Sequence, residues 1–416
     1  MTRRPPGGTL LADNRAAAGS ARRSGETIEM VCRAWSAVLL CAFGLALLPW
    51  AAAAQPAPLR LLGEFSFPSK TQFQSTTVGG LSGVAYDPRR GVYYAVSDDR
   101  GELEAPRYYT LRIDVGLGGI GDVRIVGVTT LDSDAATPGI QPYERNDCDF
   151  EEIALLPDDT LLISSERDRV GRPWIRRFAL DGTLLDELSQ REKFVAVSEP
   201  GTEGRPPVVL KGTRTNLGYE GMALSPDGGT LYVANEEALA QDGPIATRAA
   251  GTNVRIVEYD LLRAPARLGG EQVYRTEAIF ADPNPVTGFA DNGVSGMLWV
   301  RHVLPQFDLL VMERSFATGV GNDVNIYGVR LADAQNVAAL DALPQPFTNR
   351  TVQKTLLANM ARLGIAADNL EGMTLGPPLS NGKLSLLLIS DDNFSAFDPP
   401  QVNQFILFEL DAVAGK

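Results

Sequence analysis

The chain contains one histidine, His302, in 416 residues. That excludes a histidine-rich metal site and leaves any Ser-His-Asp hydrolase dependent on a single residue. His302 lies in "WVRHVLPQFD", which reads as a turn between two strands and so as a surface position rather than a general base. Cysteine is nearly as scarce, with Cys32, Cys41 and Cys148 only. The first two fall in an N-terminal leader, so a processed chain keeps Cys148 alone and forms no intrachain disulfide. With no histidine beside it in sequence, Cys148 reads as a buried structural thiol. Basic charge is short as well: 38 Lys and Arg stand against 51 Asp and Glu, a net charge of −13. This argues against nucleic acid and anionic membrane surfaces as partners and agrees with the binding of cations. A long apolar span is also missing, because "AWSAVLLCAFGLALLPW" falls short of the ~20 residues that cross a bilayer.

That run is preceded by Arg22, Arg23 and Arg33 and followed by "AAAAQPAP", the pattern of a signal peptide cut after Ala54. Residues 1–54 are read as the leader and 55–416 as one domain, secreted or periplasmic and free of the membrane after cleavage. Met30 offers an alternative start. Cleavage removes six Arg and three acids, so the mature charge is (38 − 6) − (51 − 3) = −16.

What is present is a repeat. The segments "GLSGVAYDPRRGVYYAVSDDRG", "DFEEIALLPDDTLLISSERD", "GYEGMALSPDGGTLYVANEEA", "GVSGMLWVRHVLPQFDLLVMERS" and "NLEGMTLGPPLSNGKLSLLLISDDN" align on Gly83, Glu152, Gly221, Gly296 and Gly372, which are spaced by 69, 69, 75 and 76 residues. Each reads as two strands around a Pro/Asp/Gly turn, with two more strands after it. In the fourth unit the last strand is poorly defined, and "TVQKTLLANMARLG" reads as a candidate helix. The fifth unit has three strands before the chain ends, and "LRLLGEFSF" at 59–67 supplies the fourth. The fold class is all-β: a propeller of five four-stranded blades, its last blade closed by the N-terminal strand. The repeat length leaves room for a sixth, degenerate blade. A solenoid would not explain a terminal strand that completes the last unit.

Call the strands a to d from the centre outward. The start of a and the end of b share one edge of an antiparallel blade. Acids recur at both places: Glu151, Glu152, Glu220 and Glu371 before strand a, with Ser82 and Ser295 in the other two units, then Asp98, Asp99, Glu166, Glu236, Glu237, Glu313, Asp391 and Asp392 after strand b. One such acid is an ordinary solvated rim residue. Recurrence at two equivalent positions points to a shared acidic mouth of the central channel. The expected metal ligands are Asp98, Glu152, Glu166, Glu220, Glu236, Glu313, Glu371 and Asp391. Oxygen donors alone suit Ca²⁺, and Mg²⁺ less well. Arg100, Arg167 and Arg314 follow acids of this set and either hold the anionic oxygens of a substrate or neutralise the acids beside them. The far-face links a–b and c–d read as mostly short, and the links on the acidic face, such as 131–149, 188–217, 237–253 and 394–403, as long. "GLGGIGD" at 116–122 lacks the following helix of a dinucleotide fingerprint and reads as a hairpin. Tyr93, Tyr94, Tyr108, Tyr109 and Trp299 read as core between blades.

The combination "GLSGVAYD…YYAVSDDRG", "DFEEIAL…LLISSER", "GYEGMALSPDG…LYVANEEAL" and "NLEGMTL…LLLISDDN" resembles the phytase-like family of secreted bacterial propellers, described by an esterase-like activity of phytase, over nearly all of 59–412. A "DDPAIW"-type segment, found in the alkaline β-propeller phytases, is absent. The resemblance implies a metal-assisted hydrolase of phosphoric or other esters, with Glu152, Glu220 and Glu371 in the site. The expectation is therefore a calcium-dependent hydrolase acting on a small anionic ester, with Glu152, Glu220, Glu371, Arg100, Arg167 and Arg314 in catalytic roles. A non-catalytic, calcium-stabilised propeller that binds a ligand or protein stands as the alternative. A metal-dependent carboxylesterase or lactonase is the weaker one.

Overall fold

Short strands rich in Val, Ile, Leu and Tyr, broken by Pro, Asp and Gly turns, cannot cover their own faces, so they stack sheet against sheet. The computed structural model describes residues 59–202, 207–395 and 400–412, and the leader assignment lies outside them. Five antiparallel four-stranded sheets are formed. Blade one runs Leu81–Asp87, Val92–Ser97, Arg107–Gly116 and Gly119–Thr130; blade two runs Phe150–Leu155, Thr160–Ser165, Trp174–Ala179 and Leu184–Glu187. Blade three runs Tyr219–Leu224, Thr230–Asn235, Asn253–Asp260 and Arg267–Arg275; blade four runs Ala290–Trp299, Leu309–Ala317, Gly321–Arg330 and Gln353–Asn359. Blade five takes Asn369–Pro378, Leu384–Asp391 and Val402–Leu410, and its outermost strand is Leu59–Pro68 from the other end of the chain. That strand pairs with Val402–Leu410 from Leu59 opposite Leu410 to Pro68 opposite Val402. Each inner strand touches the inner strands of the blades on either side, and the fifth touches the first, so the ring is closed. The chain is a five-bladed β-propeller.

Among the described residues the space considered for a sixth blade is taken by links and two small hairpins, Thr71–Phe73 with Thr76–Val78 and Val197–Glu199 with Val208–Lys211. The candidate helix in "TVQKTLLANMARLG" is instead the fourth strand of blade four plus one 3-10 turn, Ala361–Leu363. Pairing with Gly321–Arg330 gives that segment a sheet edge to extend, and tertiary context overrides its helical composition. Link length follows the expected faces with two exceptions in blade four. Its b–c link is a tight turn between Ala317 and Gly321. Its far-face c–d link, 331–352, is long and lies along the outer strand of blade three, where Val337 and Val352 donate backbone hydrogen bonds to Glu271 and Val273.

The core lies between blades. Tyr94, Tyr108, Phe150, Trp174 and Cys148 fill the space between blades one and two, with the Cys148 thiol buried and free. Tyr93 and Tyr109 pack against Leu387 and Phe405 between blades one and five. Trp299 stacks on Tyr232, ring centroids 5.8 Å apart, between blades four and three. His302 is exposed in the far-face turn, and 116–122 is a hairpin.

Candidate functional site

Each blade carries a register irregularity at the start of strand a. The bulged residue is Ser82, Glu220, Ser295 or Glu371, and in blade two the irregularity covers Glu151 and Glu152. A bulge turns its extra residue out of the pleat, here toward the channel end of the ring. The two serines do different work: Ser82 donates to the Phe150 carbonyl at 3.0 Å and Ser295 to the Leu370 carbonyl at 3.0 Å, tying each blade to the next. The glycine after the bulge lets inner strands touch. A Cβ on Gly296 would stand 2.4 Å from the Glu371 carbonyl, and one on Gly83 would stand 2.6 Å from the Glu151 carbonyl.

This register corrects two sequence assignments. Glu152 occupies the glycine position of blade two, so the counterpart of Glu220 and Glu371 is Glu151. The Glu152 carboxylate is buried against Gly83 and accepts from the Ile153 amide at 3.1 Å, outside the carboxylate groups described below. On strand b the residue that reaches the channel is Asp98, Glu166, Glu236 or Asp391 in four blades and Arg314 in blade four. Glu313 is one residue short of that position, and a one-residue step turns a side chain to the other face. It is fully buried and accepts from the Tyr274 hydroxyl, the Glu277 amide at 2.8 Å and Lys354 Nζ at 2.6 Å. Glu313 anchors blades three and four and is not among the converging acids.

The acids that follow, Asp99, Glu237 and Asp392, also turn away. Asp99 accepts the Glu102, Leu103 and Glu104 amides and Arg107 at 2.8 Å. Glu237 accepts the Ala246 amide, and Asp392 accepts the Gly80 amide. These three shape loops.

The remaining acids converge. Oxygens of Asp149, Glu151 and Glu166 lie within 4.8 Å of one another, as do those of Glu166, Glu220 and Glu236, so Glu166 belongs to both groups. Asn369 bridges Glu371 at 2.9 Å and Asp391 at 3.1 Å. Sequence reading missed Asp149 and Asn369. They stand two residues before Glu151 and Glu371, the position that Gly80, Gly218 and Gly293 hold in the other blades, so only blade two has an acid there. The recurrence that singled out the other positions is therefore absent there. Arg167 Nε lies 3.0 Å and Arg100 Nη1 3.5 Å from Asp149 Oδ2. Arg314 Nη2 lies 3.0 Å from Glu236 Oε1, and its Nη1 donates to Glu371 Oε1. Arg100 and Arg167 also line a cleft of about 280 Å³ with Arg145, Asn146, Cys148, Asp168 and Arg169.

Eight carboxylates (Asp98, Asp149, Glu151, Glu166, Glu220, Glu236, Glu371 and Asp391) thus face three arginines. Burial first and neighbouring carboxylates second push Asp98, Glu151, Glu166, Glu220 and Asp391 well above the ordinary carboxylate range. Burial also raises Glu371, and it lifts Glu236 to about 8, with Arg314 opposing in both cases. Asp98 Oδ1 and Glu166 Oε2 are buried without a hydrogen-bond partner. Unpartnered anionic oxygens in an all-oxygen donor set are what a hard divalent cation satisfies.

A model of the phytase-like family, described as esterase-like activity of phytase, matches residues 76–394. The chain belongs to the phytase-like family. An uncharacterised secreted protein of Arthroderma benhamiae is 26% identical over 189 residues, 42% of this chain and 36% of that protein. The match therefore spans about a third of that relative's length. A gluconolactonase of Xanthomonas campestris aligns at 10% identity and a TM-score of 0.30, covering 78% of this chain and 71% of that one. A periplasmic gluconolactonase of Pseudomonas aeruginosa aligns at 11% and 0.33, covering 82% and 90%. Neither likeness is close enough to bear on substrate.

Proposed function

We propose that this phytase-like propeller is a secreted or periplasmic, calcium-dependent hydrolase of phosphate esters that works at the acidic mouth of its channel. The observation that carries the reading is the meeting of seven buried carboxylates and the half-buried Asp98, from blades one, two, three and five, beside an arginine-lined cleft. Secretion is supported by the leader pattern and by the description of the Arthroderma relative as secreted. The residues that would hold calcium are the two carboxylate groups, Asp149, Glu151 and Glu166 in one and Glu166, Glu220 and Glu236 in the other. Bound calcium supplies Lewis-acid polarisation of a phosphoryl oxygen.

The chain's own groups divide the rest of the work. Arg100 and Arg167 present guanidinium groups to the cleft and orient the anionic oxygens of the ester. Both share Asp149, so each keeps donors for a ligand. Asp98 Oδ1 is buried and unpartnered, and in this reading Asp98 is the acid that takes a proton from the attacking water. Glu220 serves as a ligand, and Glu371 positions Arg314. Burial of the mouth excludes bulk water and keeps these charges strong.

The test is hydrolysis of p-nitrophenyl phosphate, its diester and p-nitrophenyl acetate by EDTA-stripped protein with and without CaCl2. Calcium-dependent cleavage of a phosphate ester is expected. Cleavage of the acetate alone would move the activity to carboxylic esters. Calcium-dependent melting without turnover of any ester would leave a binding protein.

A further inference from the structure

Four blades place an acid at the channel end of strand b, and blade four places Arg314. We propose that Arg314 is a built-in counter-cation that competes with calcium for Glu236 and so sets the calcium affinity of the mouth. The proposal rests on the cation reading above. Its geometry is independent of that reading. Arg314 spans from blade three to blade five, with Nη2 on Glu236 Oε1 at 3.0 Å and Nη1 on Glu371 Oε1. Its side chain is only 11% exposed, and the two carboxylates are 5% and 9% exposed, so solvent screens neither contact much. A guanidinium does not lose its proton at working pH, so the charge is permanent.

Arg100 and Arg167 differ on each count. They are a third exposed, and both lean on Asp149. Solvent weakens their hold, and Asp149 remains open to another cation. Glu236, by contrast, belongs to the second carboxylate group and is already engaged by Arg314. A divalent ion entering that group must share Glu236 or displace the guanidinium. If the opposition between the Arg314 charge and a bound ion is of the size usual for coupled groups in proteins, it shifts calcium affinity by about 5- to 150-fold. The Arg314 charge therefore offsets part of the charge at Glu236 and Glu371 when calcium is scarce, at the expense of affinity when it is present.

The experiment titrates CaCl2 into the EDTA-stripped chain by calorimetry and follows melting in parallel, for the parent, Arg314→Gln and Arg314→Lys. Arg314→Gln should melt lower without calcium, gain more on calcium addition, and bind calcium at least about fivefold more tightly than the parent. Arg314→Lys keeps the charge but reaches one carboxylate at a time, so its affinity should lie between the two. It also carries the test if the Gln variant does not fold without calcium. A parent that binds calcium as tightly as both variants overturns this proposal and leaves the cation reading standing. Calcium binding by Arg314→Gln but not by the parent supports the proposal and removes calcium as a resident ion of the parent. Binding by none of the three overturns both.

Discussion

Glu313 and Arg314 are neighbours in sequence that serve opposite sides of one strand. Glu313 locks Tyr274 and Lys354 between blades three and four, while Arg314 joins Glu236 to Glu371 across the channel mouth. The two substitutions therefore have separable consequences. Glu313→Gln removes the charge that Lys354 pairs with in a buried setting, where breaking one partner costs about 3–5 kcal/mol. Lys354 is partly exposed, and its second partner Glu277 is 57% exposed, so the lower end applies. The melting temperature should fall with the calcium-induced rise unchanged. A lost calcium response would put Glu313 back among the ligands.

The glycines after the bulges set how closely the inner strands approach. Gly296→Ala forces a Cβ to within 2.4 Å of the Glu371 carbonyl, which belongs to backbone and cannot swing aside. Denaturant unfolding should show a loss of about 1–3 kcal/mol. Gly118→Ala is the control, since its Cβ meets nothing within 4 Å. Equal effects at the two positions would contradict the account of inter-blade contact.

Metal-free protein should lose stability as pH rises. Glu236 and Glu237 sit at about 8, against an ordinary value of 4.5, and burial is the leading cause for both. Asp98, Glu151, Glu166, Glu220 and Asp391 move the same way. Between pH 4.5 and about 8 Glu236 and Glu237 hold more protons folded than unfolded, and the other five act in the same direction. Their contribution is fully present below the unfolded value and disappears as pH climbs through the folded one. Differential scanning calorimetry of EDTA-treated protein should show the melting temperature falling from about pH 5 to about pH 8, with added calcium reversing the fall at the upper end. A metal-free melting temperature that rises over that range would contradict it.

The propeller was legible because its cause is periodic: the glycine-marked unit recurs, and "LRLLGEFSF" supplies the strand that the last unit lacks. The acidic mouth was legible for the same reason. Single-residue register was not. Glu313 and Arg314, or Glu151 and Glu152, differ by one step in a period of two, and only the bulge decides which of each pair faces the channel. Asp149 and Asn369 were missed because each acts in one blade alone. The last strand of blade four was hidden because "TVQKTLLANMARLG" composes well as a helix, and its sheet partner is 23 residues or more upstream.

Calorimetric titration of CaCl2 into EDTA-stripped protein, parent against Glu166→Gln, addresses the central claim most directly, because Glu166 alone belongs to both carboxylate groups. The parent should bind with a dissociation constant of about 10⁻⁴ M or tighter and release protons as the raised carboxyls ionise, and Glu166→Gln should bind far more weakly. Binding that is the same in the two proteins, or absent from both, would contradict the claim that this mouth is a cation site.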